Sequence, residues 1–150
     1  MKGLYYDDFK VGDKFTTPAK TITEATIAIM IGLGGFTLPL FNDEEYAKTT
    51  IYQGRIAPGR MTLFMMGGLD EQLGIFDGTV VALVGIDNVR IKNPLRAGDT
   101  IKVELEITGI RETKNRKYGI VVHKETCFNQ RGEIVLEEEV THLMLRKPKA

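Results

Sequence analysis

Two histidines, His123 and His142, and one cysteine, Cys127, supply all the imidazole and thiol chemistry in this 150-residue chain. Imidazole is the usual general acid or base near neutral pH and the commonest metal ligand, so these positions come first. Both histidines fall in runs that read as strands, YGIVVHKETCF and EIVLEEEVTHLML. Whether they meet depends on a strand register that the sequence leaves open. Taken singly, each is expected to be a structural or surface histidine rather than a catalytic base. Cys127 sits beside Phe128 in an apolar-rich run and is expected to be a buried small hydrophobe rather than a reactive thiol. No HExxH or paired CxxC spacing is present, so no metal site is expected. GLGGF matches neither dinucleotide nor phosphate-loop glycine spacing and reads as the end of a helix.

The elements that must position such groups are legible in outline. The pattern is helical in the first half and strand-like in the second, punctuated by Gly and Pro. Thr21 and Glu24 have capping-box spacing, which predicts a helix there with Ile27, Met30 and Ile31 on one face and Gly32, Gly34 and Gly35 at its end. In NDEEYAKTT, Asn42 can cap a short helix that turns Tyr46 and Ala47 inward. Pro58 suits a helix N-terminus, where its missing amide costs little. Beyond it, Met61, Leu63, Phe64, Met65, Met66 and Leu69 leave almost no polar face, so this helix is expected to be enclosed. Gly67 and Gly68 would then serve close approach of a surrounding sheet.

From Thr79 the period changes to two. TVVALVGIDNVRI reads as one or two strands and NPLRAGDT as a turn. Ile101, Val103, Leu105 and Ile107 alternate with Lys102, Glu104, Glu106 and Thr108, which predicts one buried and one wet face. Two more strands follow, joined by NQRGE, and the short connections predict an antiparallel meander. A sheet with one apolar face beside a nearly apolar helix can form a single core by wrapping it, which is an α+β architecture.

Composition bounds the partners. Twenty Lys plus Arg balance twenty Asp plus Glu, so no broad basic field recommends a nucleic acid. The longest apolar stretches, at residues 25–36 and 56–69, are too short for an ordinary membrane span. One soluble cytoplasmic domain over residues 1–150 is expected, with no membrane partner.

Taken in order, FKVGDKF, LPLFNDEEYAKTTIYQGRIAPG, the apolar helix and NPLRAGDTIKVELEITGIRE resemble the MaoC-like acyl dehydratase and R-specific enoyl-CoA hydratase family. The resemblance covers most of the chain and implies a hot-dog fold, an antiparallel sheet wrapped around a long central helix. Members with hydratase activity carry a segment resembling GDxNPxH, then an acidic EYA segment, then an IAHG turn. On this chain Phe36 occupies the family's Asp position, Leu38 the Asn position, Pro39 the retained proline and Phe41 the His position. Asp43, Glu45, Tyr46 and Ala47 keep the acidic pattern. Pro58 stands where the turn often has histidine, and Gly59 keeps the glycine whose amide helps hold the thioester carbonyl.

Reversible hydration of an enoyl thioester needs water activated for attack at C3 and a proton managed at C2, work that an Asp and His pair can do. Phenylalanine has no titratable proton, so Phe36 and Phe41 cannot do it. Asp43 is the candidate replacement acid or base, with N-capping as its competing role. Glu24 is expected to cap with Thr21. The resemblance places Phe36, Leu38, Phe41, Tyr52 and Met61 around an acyl tunnel, Gly59 at the carbonyl, and Arg55 and Arg60 toward anionic parts of the ligand. Tyr52 and Arg55 could equally be satisfied by the fold.

The resemblance further implies an acyl thioester ligand, with coenzyme A as part of it and no separate cofactor. It also implies a homodimer, with a dimer or trimer of dimers as larger assemblies. Three functions follow: a divergent acyl-CoA hydratase or dehydratase, which is a lyase and the leading reading; a noncatalytic acyl-CoA-binding protein; and an acyl-CoA thioesterase.

Overall fold

The computed structural model describes residues 3–148. Short strands β1 (Lys14–Thr16) and β2 (Lys20–Thr21) precede helices α1 (Glu24–Gly34), α2 (Pro39–Asn42), α3 (Glu44–Lys48) and α4 (Gly59–Glu71). Four long strands follow: β3 (Val80–Ile91), β4 (Thr100–Glu112), β5 (Tyr118–Phe128) and β6 (Ile134–Leu145). The sheet runs β1-β4-β5-β6-β3, every pair is antiparallel, and β2 adds to β4.

Alternation in β4 has the expected outcome. Ile101, Val103, Leu105 and Ile107 are buried while Lys102, Glu104, Glu106 and Thr108 face water. The inward sides of β4, β5 and β6 meet Met61, Met66 and Leu69 of α4, and these residues form one core with Ile22, Ile27 and Phe76. This is the α+β hot-dog arrangement expected.

Several local expectations need correction. The meander holds for β4, β5 and β6, but β3 crosses to the far edge and pairs with β6, because its connection through residues 92–99 is long enough to leave the hairpin path. β1 and β2 were not expected at all, being too short for a period to show. α1 is capped by Thr23, whose side chain accepts from the Thr26 amide, while Thr21 lies in β2 opposite Thr100. α3 is capped by Asp43 rather than Asn42, and only Ala47 of the expected pair is buried, Tyr46 being exposed. Finally, α4 is not enclosed: Arg60, Phe64, Gly67, Gly68 and Glu71 form an exposed stripe at helical spacing. A Cβ on Gly67 or Gly68 would meet nothing within 4 Å, so close approach of this chain's own sheet does not explain them.

The opening turn, Tyr6–Asp8, lies against β5 and is tied to the far end of the chain. Arg146 pairs with Asp7 at 3.0 Å and stacks over the Tyr6 ring at 5.0 Å. A Cβ on Gly119 of β5 would fall 2.2 Å from that ring. Gly119→Ala is therefore expected to destabilise by about 1–3 kcal/mol through overpacking. Exposed Glu104→Ala should stay within about 0.5 kcal/mol. Urea unfolding of the two variants checks this, and equal midpoints would show that Tyr6 moves aside freely.

Candidate functional site

The segment expected to carry the reacting groups is held by local hydrogen bonds. Gly35 ends α1 in the left-handed region at φ 66°, a conformation glycine adopts without penalty, and turns the chain into Phe36. The Asn42 side-chain amide donates to the carbonyls of Phe36 and Leu38, each at 3.1 Å, drawing the ends of this segment together. Phe36 and Phe41 consequently meet edge to face, with ring centroids 6.0 Å apart. The two positions expected from the resemblance to replace an acid and a base thus form an aromatic contact.

Two clefts adjoin it. One, of about 280 Å³, lies at the start of α4 and is lined by Leu40, Phe41, Tyr52, Gly59 and Ile91. Gly59 opens the helix; the Met61 amide donates to the Pro58 carbonyl at 2.9 Å, so the Gly59 and Arg60 amides are the ones that precede the helical ladder. The other, of about 290 Å³, is polar and includes Glu24, Phe41, Glu44, Arg55 and Arg96. There Arg55 is shared between Glu24 at 2.8 Å and Glu44 at 3.1 Å. The hydrogen bond to Glu24 is the chief cause that raises the Arg55 pKa, while the Arg55 amide chiefly holds the Glu44 carboxyl below its usual range. Arg96 donates to the Tyr52 carbonyl at 2.5 Å and to the Arg55 carbonyl at 3.3 Å, fixing the loop before α4. Arg96 lies in a segment read only as a turn, so nothing in the sequence pointed to this clamp.

The remaining expected residues are dispersed. Leu38 is exposed, and so is Arg60 at the first turn of α4. Met61 has no exposed surface and is a core residue, because its place on α4 faces the sheet rather than the cleft. Asp43 is exposed, and its Oδ1 accepts from the Tyr46 amide at 3.0 Å, which is the capping role weighed against catalysis. Glu24 does not cap with Thr21; it binds Arg55.

A second group of polar residues converges beneath α4. Asp70 comes from the helix, His123 and Glu125 from β5, and Glu138 and His142 from β6. The register opposes Val121 to His142, Glu125 to Glu138 and His123 to Val140, so alternate residues of both strands point at the helix. His123 Nε2 lies 2.6 Å from Glu125 Oε1, and the two imidazoles are 5.3 Å apart. Phe76 stacks on His123 at 5.6 Å and meets His142 edge-on at 4.8 Å. The histidines thus meet, which the open register had left undecided. Asp70, Glu125 and Glu138 were not singled out at all. The period of β5, carried from Val121 through His123 to Cys127, was the available signal for Glu125.

Burial dominates the electrostatics here. It pushes the Asp70 carboxyl up to about 10, with neighbouring Glu125 adding to the rise. Burial also raises Glu125 and Glu138. The same loss of water lowers His123 and His142 to about 4, favouring neutral rings. Cys127 is fully buried and its thiol is pushed up to about 12, in keeping with an inert hydrophobe.

These shifts have opposite consequences for stability. An acid whose pKa rises on folding contributes fully below its unfolded value and loses that contribution as pH rises toward the folded value. For Asp70 this window runs from about 4 to about 10. The histidines contribute fully above 6.5 and lose it as pH falls toward about 4. Asp70→Asn, which cannot ionise, should therefore gain stability relative to the parent progressively as pH rises. Denaturant midpoints in chelator-containing buffer across that window test this, and parallel curves would show that Asp70 does not titrate there.

Comparisons with known proteins identify the family to which this fold belongs. The MaoC-like domain model matches residues 8–127. An (R)-specific enoyl-CoA hydratase of Rhodospirillum rubrum is 32% identical over 137 residues, covering 91% of this chain and 89% of that protein. Among solved structures, one described as a monoamine oxidase regulatory protein of Archaeoglobus fulgidus has TM-score 0.92 at 31% identity, covering 99% of this chain and 98% of that one. A MaoC-like dehydratase of Rhodospirillum rubrum has TM-score 0.86 at 28% identity, covering 98% and 100%. The shared sequence and the shared wrapping of sheet around helix have one conclusion: the chain belongs to the MaoC-like domain family.

Proposed function

We propose that this protein binds acyl thioesters as a divergent member of the acyl-CoA hydratase and dehydratase class, with the usual acid and base replaced by Phe36 and Phe41. One observation carries the reading. The two rings pack together beside an open cleft at the N-terminus of α4, where Gly59 and Tyr52 also lie. A helix N-terminus supplies amide donors and a positive field, both suited to a thioester carbonyl oxygen. The apolar wall contributes roughly 25 cal/mol per Å² of ligand surface removed from water, before ordering costs. Binding and hydration therefore rest on different atoms, and only the atoms for binding are retained at these positions. Coenzyme A is the carrier this reading assigns, as part of the ligand and not as a cofactor.

A homodimer belongs to the same reading. β3 forms an outer edge, and Leu83 and Val84, which point to opposite faces, are each 56% exposed. Phe64 on the bare stripe of α4 is 65% exposed. A second copy laid against this edge and stripe would cover both. Among the described residues no helix is long and apolar enough to cross a membrane, so these side chains do not form a spanning helix.

Incubation with crotonyl-CoA, followed by chiral chromatography, separates the readings. The parent chain is expected to be stabilised thermally by the thioester while yielding no hydroxyacyl product, and Phe36→Asp plus Phe41→His is expected to gain hydration. Robust hydration by the parent would refute the replacement argument, and its loss in Asp43→Asn would move the acid or base to Asp43. Release of free CoA thiol would select a thioesterase instead.

A further inference from the structure

The acid and histidine cluster beneath α4 lies outside the hydratase-type site, and its ionisable groups lack the usual cationic partners. Three carboxyl groups and two imidazoles converge, and among the described residues no Lys or Arg pairs with Asp70, Glu125 or Glu138. Glu125 lies directly opposite Glu138 across the sheet, where two ionised carboxylates would repel, so burial favours the neutral acids unless a cation lies between them. Among the described residues, six buried side-chain atoms have no hydrogen-bond partner, and five belong to this cluster: Asp70 Oδ1, His123 Nδ1, Glu125 Oε2, Glu138 Oε2 and His142 Nδ1. Asp70, His123, Glu125 and Glu138 are each at least nine-tenths buried. Hydrogen bonding of Asp70 with Glu125 and of Glu125 with Glu138 through shared protons meets part of the carboxyls' need, and a ligand would displace those protons and complete the bonding around them and the imidazoles.

The cluster is also reachable. A cleft of about 360 Å³ between α4 and the edge formed by β3 and β6 is lined by Asp70, Glu125, Glu138 and His142, with Gly67 and Leu83 nearer its mouth. Asp70, His123 and Glu125 each offer one donor atom, and the three atoms lie within 4.8 Å of one another. Donors on a common first-row metal at about 2.0–2.2 Å sit no more than about 4.4 Å apart, so small side-chain rotations close the set.

We infer that Asp70, His123 and Glu125 form a binding site for a divalent transition-metal ion, with Glu138 and His142 as neighbouring groups that hold or extend the coordination. The donor types select the class. An imidazole nitrogen with carboxylate oxygens suits Zn²⁺, Mn²⁺ or Fe²⁺, whereas Ca²⁺ and Mg²⁺ take oxygen sets and soft Cu⁺ takes sulfur. The site had no signature in the sequence because its ligands come from two elements far apart in the chain, and the pair two residues apart lies on a strand face rather than in a recognised metal motif.

The chain makes this easy to test, because its only two histidines both lie in the cluster. Untagged protein is dialysed against chelator, then titrated with Zn²⁺ at neutral pH by calorimetry and equilibrium dialysis. One Zn²⁺ per chain is expected. It should disappear in Asp70→Asn plus Glu125→Gln that retains its circular dichroism, and it should weaken about 10–100-fold in Glu138→Gln if that residue supports a ligand from outside. X-ray absorption of the Zn²⁺-loaded parent provides a readout that needs no variant: imidazole scattering places the ion in this cluster. Failure to bind Zn²⁺, binding that survives in the folded double variant, or an all-oxygen spectrum overturns the site. Crotonyl-CoA hydration plays no part in these readouts, so the proposal stands or falls separately from the thioester reading.

Discussion

The inner face of α4 can be buried only if β4, β5 and β6 present a continuous apolar surface to it. Met61, Met66 and Leu69 have almost no exposed surface, and they meet Val103, Leu105, Val121, Leu136 and Met144 in one core. Fully burying a side chain of this size contributes roughly 1.5–3 kcal/mol, so the helix and the meander depend on each other. The same contact sets the direction of α4. Its N-terminus is delivered to the Phe36 and Phe41 segment, and its last turn carries Asp70 onto the inward residues of β5 and β6.

The two ends of the helix illustrate how a fold separates stability from chemistry. At the start, the tie from Asn42 and the Arg96 clamp hold short loops whose side chains need no particular protonation. The course of such loops does not depend on the acidity of the side chains they carry, because backbone hydrogen bonds and side-chain acidity are independent properties. At the other end four ionisable residues of the sheet, His123, Glu125, Glu138 and His142, meet Asp70 of the helix. Evolution of an apolar core does not require them, and their convergence is the feature that distinguishes this interior.

Legibility in the sequence followed the strength of the period. β4 was readable because four buried and four wet residues alternate without interruption. The order of β3 was not, because an apolar strand exposed on both faces has no alternation to reveal its neighbour. Enclosure of α4 was overstated for a related reason: Phe64 is apolar yet exposed, so hydrophobicity alone did not identify the covered face. Phe36 and Phe41 were singled out through a resemblance to a family pattern, whereas their edge-to-face contact depends on the Asn42 tie and had no signal in the sequence. Asp70 was hidden near the polar end of a helix, and Glu138 among three consecutive glutamates that resemble a solvated run. Only the cross-strand register shows which glutamate turns inward.

The irregular course of β3 has a further consequence. Its pairing with β6 shifts register at three places, and Asn88 adopts a left-handed backbone at φ 53°. Such breaks coil a strand and interrupt the even row of amides and carbonyls that an incoming chain would need. An apolar sheet border is thereby bent at several points, and open-ended pairing along it is discouraged by geometry.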